Sequence, residues 1–382
     1  MTTSGALQGI RVLDLSRMLP GPYCSMILAD HGAEVIAIED RRFLADGLFF
    51  SDLNRNKRHM TLNLKAQQGL EIFMRLAKTA DVVLEGFRPG VVDRLGVDYQ
   101  TLSRDNPRLV YCSISGYGQT GPYAQRPGHD VNYLSVAGVL GLIGEKGRPP
   151  SIPGVQIADI AGGAMNAAIG ILLALYAREG SGRGQYIDIS MTDGMVGFLS
   201  LPYFFTRAEG RPQRAADTLL SHRFACYNTY ETADGRHLAL GAVENRFWST
   251  LCEQLGVSDY GPLQYDEERR EEIIASLRGI FASNPLAAWE KELGGLNSCF
   301  GGVRTMEEVL DDPLFIAREM VHSYRDDNGD VRHGFGVPVK LSATPGSIRT
   351  KPTAFGAATT SVLAELGYAE AEIRRLSDDG VI

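Results

Sequence analysis

The chain has 382 residues, 44% hydrophobic and 22% charged. That is the composition of an ordinary globular protein, and the length predicts two domains rather than one core. A net charge of −8 speaks against general binding of nucleic acid or anionic membranes, while leaving room for a local basic patch that holds a phosphorylated ligand. Five scattered cysteines (Cys24, Cys112, Cys226, Cys252 and Cys299) show neither CxxC pairing nor zinc spacing. They read as free thiols in a reducing cytoplasm, with no metal site expected. Met1-Thr2-Thr3-Ser4-Gly5-Ala6 has no basic n-region or apolar core, so no signal peptide is expected.

In chain order, residues 10–15 read as a strand. Pro20-Gly21-Pro22 opens a helix that runs to Asp30, and 34–39 form the next strand. This spacing predicts a parallel pair with a right-handed crossover. An amphipathic helix follows over 67–78, with Leu70, Ile72, Phe73 and Leu76 apolar, then strands at 82–85 and 109–114. Two helices headed by His129 and Asp159, a strand at 185–190 and a helix beginning at Asp193-Gly194 continue the alternation. The expected fold class is α/β, an open, mostly parallel, Rossmann-like sheet covered by helices.

Residues 207–214 form a polar break that reads as a linker. Beyond it, 224–230 and 237–243 flank Ala233-Asp234-Gly235, a hairpin with a type I′ signal. Helices over 244–255, 267–282 and 286–293 complete a smaller α+β domain. Residues 337–342 are extended and 344–353 loop-like. An amphipathic helix over 359–376 (Val362, Leu363, Leu366, Ile373 and Leu376) is expected to close the first domain. The expected division is 1–206 completed by 337–382, with 207–336 as the small domain. Residues 160–177 reach the lower length limit for a bilayer span, but their Gly and Ala content and the lack of a second such segment favour a buried core helix.

His129 and Asp159 stand thirty positions apart, each before an apolar stretch rich in small residues. Asp159 has two compatible readings. One is a helix N-cap; the other is a functional carboxylate beside free amides that could hold a thioester oxyanion, with Gly162 and Gly163 allowing close approach. His129 reads as a packing or surface residue, or as an imidazole kept neutral by a helix dipole and able to act as a base. Glu244 reads as a helix-start acid or as a partner orienting a histidine. The dense Arg55-Asn56-Lys57-Arg58 suggests a phosphate contact. There is no Walker loop, GxGxxG or GxSxG elbow.

A series of motifs resembles, in order and over nearly the whole chain, the class III CoA-transferase and racemase superfamily (the CaiB/BaiF group). They are Gly9-Ile10-Arg11-Val12-Leu13-Asp14-Leu15, Pro20-Gly21-Pro22, Arg55-Asn56-Lys57-Arg58, Leu62-Asn63-Leu64-Lys65, Glu85-Gly86-Phe87-Arg88-Pro89-Gly90, Gly116-Tyr117-Gly118-Gln119-Thr120-Gly121-Pro122 and Gly182-Arg183-Gly184-Gln185. Gly128-His129-Asp130-Val131-Asn132-Tyr133, Ala158-Asp159-Ile160-Ala161-Gly162-Gly163 and Gly241-Ala242-Val243-Glu244 are similar to the histidine, aspartate and glutamate motifs of its α-methylacyl-CoA racemase branch. Three segments depart from that branch, one of them Gly301-Gly302, which replaces a Thr-Pro after the late cysteine. Glu39-Asp40-Arg41-Arg42 stands where an Asp-Arg-Pro supplies a nucleotide contact, and Ser221-His222-Arg223-Phe224 adds bulk and charge near the acyl end.

The resemblance implies an interlocked homodimer, with each active site between one subunit's large domain and the partner's small domain. It implies a coenzyme A thioester as substrate, no prosthetic group and no metal. Leu62, Asn63, Leu64 and Lys65, with Gly128, Asp130, Asn132 and Tyr133, would line the acyl-CoA site, and Arg41, Arg42 and Arg88 are its basic candidates. The implied reaction interconverts R and S 2-methylacyl-CoA through an enolate. His129 and Asp159 would serve opposite faces, with Glu244 bonded to His129. The alternatives are CoA transfer between carboxylic acids through an aspartyl-CoA thioester on Asp159, and a silent acyl-CoA binder.

Overall fold

Six strands build the main sheet, and four of them (residues 11–14, 34–39, 82–85 and 110–115) are short runs buried on both faces, the mark of parallel strands. The six are β1 (Arg11–Asp14), β2 (Glu34–Glu39), β3 (Lys57–Thr61), β4 (Val82–Glu85), β5 (Val110–Ser115) and β6 (Tyr186–Ser190). All are parallel, in the order β3-β2-β1-β4-β5-β6. The order reverses between β1 and β4, and ligands of such sheets bind beyond the carboxyl ends at that point. The computed structural model describes residues 5–326 and 328–382, so the signal-peptide expectation at Met1 to Ser4 lies outside the described residues.

The helices of this unit begin with α1 (Pro20–Asp30), α2 (Gln67–Ala77), α3 (Val91–Leu95), α4 (Tyr99–Asp105) and α5 (Asp130–Val136). A π-helix, Ala158–Met165, then runs into α6 (Asn166–Ser181), followed by α7 (Met191–Gly197). Strand β3 is absent from the expectations, because Lys57-Arg58-His59 masks a strand in which four of five residues are buried. The 160–177 stretch is not core all round. Ala167, Ala168, Ile171 and Ala174 are buried, while Ile169, Leu172, Leu173 and Tyr176 are exposed on the other face, Tyr176 at 83%. By length and composition this helix could cross a membrane.

The smaller unit begins with α8 (Ser200–Glu209), so the break expected at 207–214 starts only at Gly210. Strands β7 (Tyr227–Glu231) and β8 (His237–Gly241) form the expected hairpin. Its turn is not type I′. Only Gly235 has a positive φ, 71°, and its N–H donates to Thr232 O while Thr232 N–H donates to Arg236 O. That is a type I turn closed by a glycine bulge. Helices α9 (Asn245–Gln254), α10 (Arg270–Phe281) and α11 (Leu286–Leu293), strand β9 (Phe300–Gly302) and α12 (Met306–Asp311) complete the unit. Its core is built around Trp248, Tyr230, Phe281 and Leu251.

The chain then returns to the larger unit with α13 (Pro313–Ala317) and the hairpin β10 (Val321–Arg325) and β11 (Val331–Phe335). The single closing helix expected over 359–376 is two helices, α14 (Thr359–Glu365) and α15 (Glu370–Asp378). Val362, Leu363, Ile373 and Leu376 join the same core as Leu13 and Ile36. By contact, the larger unit comprises the described residues of Met1–Val139, Pro153–Phe198 and Pro313–Ile382; the smaller comprises Leu140–Ile152 and Leu199–Asp312. The hairpin therefore falls in the larger unit rather than in the small domain expected over 207–336. The Arg55 guanidinium donates to Phe335 O and ties it there.

In the Arg55-Asn56-Lys57-Arg58 motif Arg55 and Lys57 are buried and Arg58 is half-buried, and each of these charges has an acidic partner within the chain rather than facing a phosphate. Arg55 pairs with Asp30 through Nε at 3.1 Å and Nη2 at 2.7 Å. Lys57 is fully enclosed and donates to Pro22 O at 2.8 Å. Burial pulls its pKa down to about 8, against the carboxylate of Asp14. Arg58 is bound to Glu365 at 2.7 Å.

Candidate active site

His129 occupies the N-cap position of α5 with extended backbone, and Asn132 Oδ1 accepts its N–H at 3.0 Å. The imidazole is exposed. Below it, Tyr133 is 6% exposed. Its hydroxyl donates to Gly128 O, and its ring fills the space where a Cβ at Gly116 or Gly128 would fall, 2.4 and 2.7 Å from ring carbon. Tyr133 is thus a brace for the residue before His129 rather than an open lining residue.

Asp159 is not an N-cap. It is the second residue of the π-helix, a form that is rare and concentrated at functional sites. Its N–H donates to Asp130 Oδ1 at 2.9 Å, and the Ile160 N–H donates to Gln156 O at 3.2 Å. These two amides are therefore occupied and not free to hold a thioester oxygen. Nor do Gly162 and Gly163 make room for a ligand. A Cβ on Gly162 would stand 2.6 Å from Met191 O, and one on Gly163 would stand 3.0 Å from both Met191 Cγ and Pro20 Cβ. Their smallness lets the π-helix pack against α7 and the start of α1.

Desolvation raises the Asp159 carboxyl to about 6, with the Asp130 carboxylate adding to the rise and His129 opposing it. Asp159, Asp130 and His129 therefore act on one another directly, across 29 and 30 positions of sequence. A carboxyl near 6 is partly protonated around neutrality, so it can serve as base in one direction and acid in the other. Tyr133 is pushed up by burial and by Asp159, with Arg88 opposing, which places the Arg88 guanidinium within electrostatic reach of the cluster. Asp130 is the member whose tuning role the sequence did not reveal, since its partner amide lies so far along the chain.

The remaining candidates gather elsewhere in the same unit. Arg42, Leu62, Leu64 and Lys65 line a cavity of about 420 Å³, with Phe87 and Arg94. Arg41 and Asn63 line an adjoining groove that shares Arg42 and Lys65. Neither His129 nor Asp159 lines this cavity. Here the shifted basic residues have a place: Arg42 faces the cavity, and Arg17 and Arg42 stack on Phe43 at 3.5 and 4.7 Å from its centroid.

Glu244 belongs to the smaller unit. It is exposed at the N-cap of α9. Gln264 Nε2 donates to Ala242 O and Val243 O, both at 2.8 Å, and fixes the turn before it. In the departing segment, the Arg223 charge is neutralised by Glu209 and Glu267, and Phe224 is buried.

A parallel sheet with basic side chains at a cavity by its carboxyl edge, and a His/Asp pair on neighbouring helix starts, is a frame that can hold an anionic ligand and move a proton. Residues 7–359 match CoA-transferase family III, and the chain belongs to that family. It is 37% identical to the alpha-methylacyl-CoA racemase of Mus musculus, over 98% of this chain and 97% of that one. It is 31% identical to the succinyl-CoA–D-citramalate CoA-transferase of Chloroflexus aurantiacus, over 98% of each. Among solved structures, a CAIB/BAIF family protein from Brucella suis superposes with a TM-score of 0.83 at 29% identity, covering 95% of this chain and 100% of that one.

Proposed function

We propose that this protein interconverts the R and S forms of 2-methylacyl-CoA thioesters by moving one proton off and onto the α-carbon. The observation that carries the reading is the His129–Asp130–Asp159 cluster, in which the Asp159 carboxyl is raised to about 6 beside an exposed imidazole. The thioester acidifies its α-carbon, and an imidazole and a carboxyl on opposite faces can take the proton from one side and return it from the other. Arg42 and Lys65 would hold the phosphates of coenzyme A, and Glu244 would bond and tune His129. No metal and no prosthetic group is required by this chemistry. The curated racemase relatives support the reading.

The test is exchange of the α-hydrogen of a branched acyl-CoA in heavy water, with no carboxylate acceptor present. Exchange is expected; its absence across a panel of branched acyl-CoAs would overturn the proposal. CoA transfer through an aspartyl thioester on Asp159 is the second reading, favoured by the transferases among the relatives. His129→Ala separates the two. A racemase should lose about 10²-fold or more, while a transferase that uses only the aspartate should largely keep its rate.

We also propose that the protein works as a homodimer. The exposed stripe Ile169, Leu172, Leu173 and Tyr176 on α6 is an apolar face of the kind a second copy of the chain would cover. A monomeric mass by sedimentation at micromolar concentration would overturn this.

A further inference from the structure

The carboxyl edge of the sheet holds a buried acid to which proton transfer assigns no task. Glu85 ends β4 and is 1% exposed. Burial pushes its carboxyl up to about 7, opposed by hydrogen bonds from Ser113 and Phe87. The charges acting on it, Asp93 and Asp188, are of its own sign and raise it further. Its other titratable neighbours, Tyr111, Tyr186 and Cys112, are themselves pushed up and so neutral. A buried carboxyl without a counter-ion is costly where an apolar side chain would pack.

What it secures is a turn. Phe87 N–H donates to Glu85 Oε2 at 2.7 Å. The same device ends β1, where Asp14 Oδ1 accepts Ser16 N–H at 2.9 Å. The two turns touch, since a Cβ on Gly86 would stand 3.5 Å from Ser16 Cβ. They belong to the two adjacent strands between which the sheet order reverses. Asp14 has Lys57 Nζ beside it at 3.9 Å; among the described residues Glu85 is held by the turn and Ser113 and by no cation. The turn carries Phe87 into the wall of the 420 Å³ cavity and sets Arg88 within electrostatic reach of Tyr133, the brace of the His129 motif.

We propose that Glu85 is a positioning residue for the CoA thioester, fixing the Gly86-Phe87-Arg88 turn so that the cavity wall and the Arg88 cation stay in register with His129 and Asp159. This rests on the acyl-CoA reading above. The experiment measures the Kd of coenzyme A by calorimetry, and the KM and kcat of α-hydrogen exchange, in Glu85→Ala and Glu85→Gln. Glu85→Ala should weaken Kd about tenfold or more, with KM rising more than kcat falls. Glu85→Gln keeps an oxygen acceptor and should stay within about threefold of the parent. A parental Kd in folded Glu85→Ala, or a tenfold loss in Glu85→Gln, overturns the proposal. Should Glu85→Ala fail to fold, hydrogen exchange at the Phe87 amide of Glu85→Gln decides. Protection like the parent's is expected, and fast exchange with an unchanged Kd overturns it. Because Kd is read without turnover, failure of the racemase reading and failure of this inference give different results.

Discussion

Asp159→Asn should abolish interconversion of the R and S thioesters, with a loss of about 10³-fold or more, since an amide can neither take nor return the proton on its face. The pH profile carries the finer expectation. The acidic limb of kcat/KM should fall near pH 6, where Asp159 ionises. Asp130→Asn removes a charge that raises Asp159, so the limb should move to lower pH. His129→Gln removes the opposing influence, so the limb of its residual activity should move to higher pH. An acidic limb that stays in place in Asp130→Asn would show that Asp159 is not the titrating group. Stability gives an independent check. Burial raises Asp159 in the folded chain above the ordinary aspartate value of 3.8, so the folded state binds this proton more tightly than the unfolded one. That contribution is greatest below about pH 4 and is lost as pH rises through about 6. Asp159→Asn should therefore melt higher than the parent at pH 7, and the advantage should vanish at about pH 4. An advantage independent of pH would contradict the raised pKa.

Asp30→Ala should destabilise the larger unit by about 3–5 kcal/mol, the usual consequence of stranding one half of a buried ion pair. Asp30 ends α1 and its side chain is 2% exposed, against 8% for Arg55. It accepts two bonds from Arg55 and one, at 2.8 Å, from Asn56 Nδ2. Those two residues extend the clamp. Arg55 reaches Phe335 O, and Asn56 Oδ1 accepts the N–H groups of Arg349 and Thr350 at 2.6 and 3.0 Å. Arg349 Nη2 then returns to Ala29 O at 2.7 Å. Losing Asp30 leaves a guanidinium in the interior and loosens both the β10–β11 hairpin and the 347–350 strap. The measurement is urea unfolding followed by far-ultraviolet dichroism. Asp30→Ala with Arg55→Met should recover much of the loss, since no stranded charge remains. A single variant within about 1 kcal/mol of the parent would mean that the pair is solvated and not holding the fold.

The alternation of apolar strands with helices was legible because it is written in local periodicities of about 2 and 3.6 residues. Strands 34–39 and 82–85, and the helices expected over 20–30 and 67–78, were all readable in this way, the second ending one residue earlier at Ala77. Strand β3 was not, because its charged residues look like surface until the sheet covers them. The division of the basic residues was hidden for the same reason. In sequence, Arg42, Arg55 and Lys57 are equivalent; in the fold Arg42 faces a cavity while Arg55 and Lys57 are enclosed with partners up to 280 positions away.

The sequence by itself determined the class of fold, the order of the family motifs and the identity of His129 and Asp159 as the residues to examine. Tertiary structure alone decided that Asp159 lies within a π-helix, that its amide is taken by Asp130, that Gly162 and Gly163 serve packing, and that Glu85 is buried with no counter-ion among the described residues. Secondary structure follows from neighbours along the chain. A carboxyl's charge, and hence its chemistry, follows from burial and from groups brought beside it in space, and nothing in the spacing of residues 130 and 159 states that they will meet.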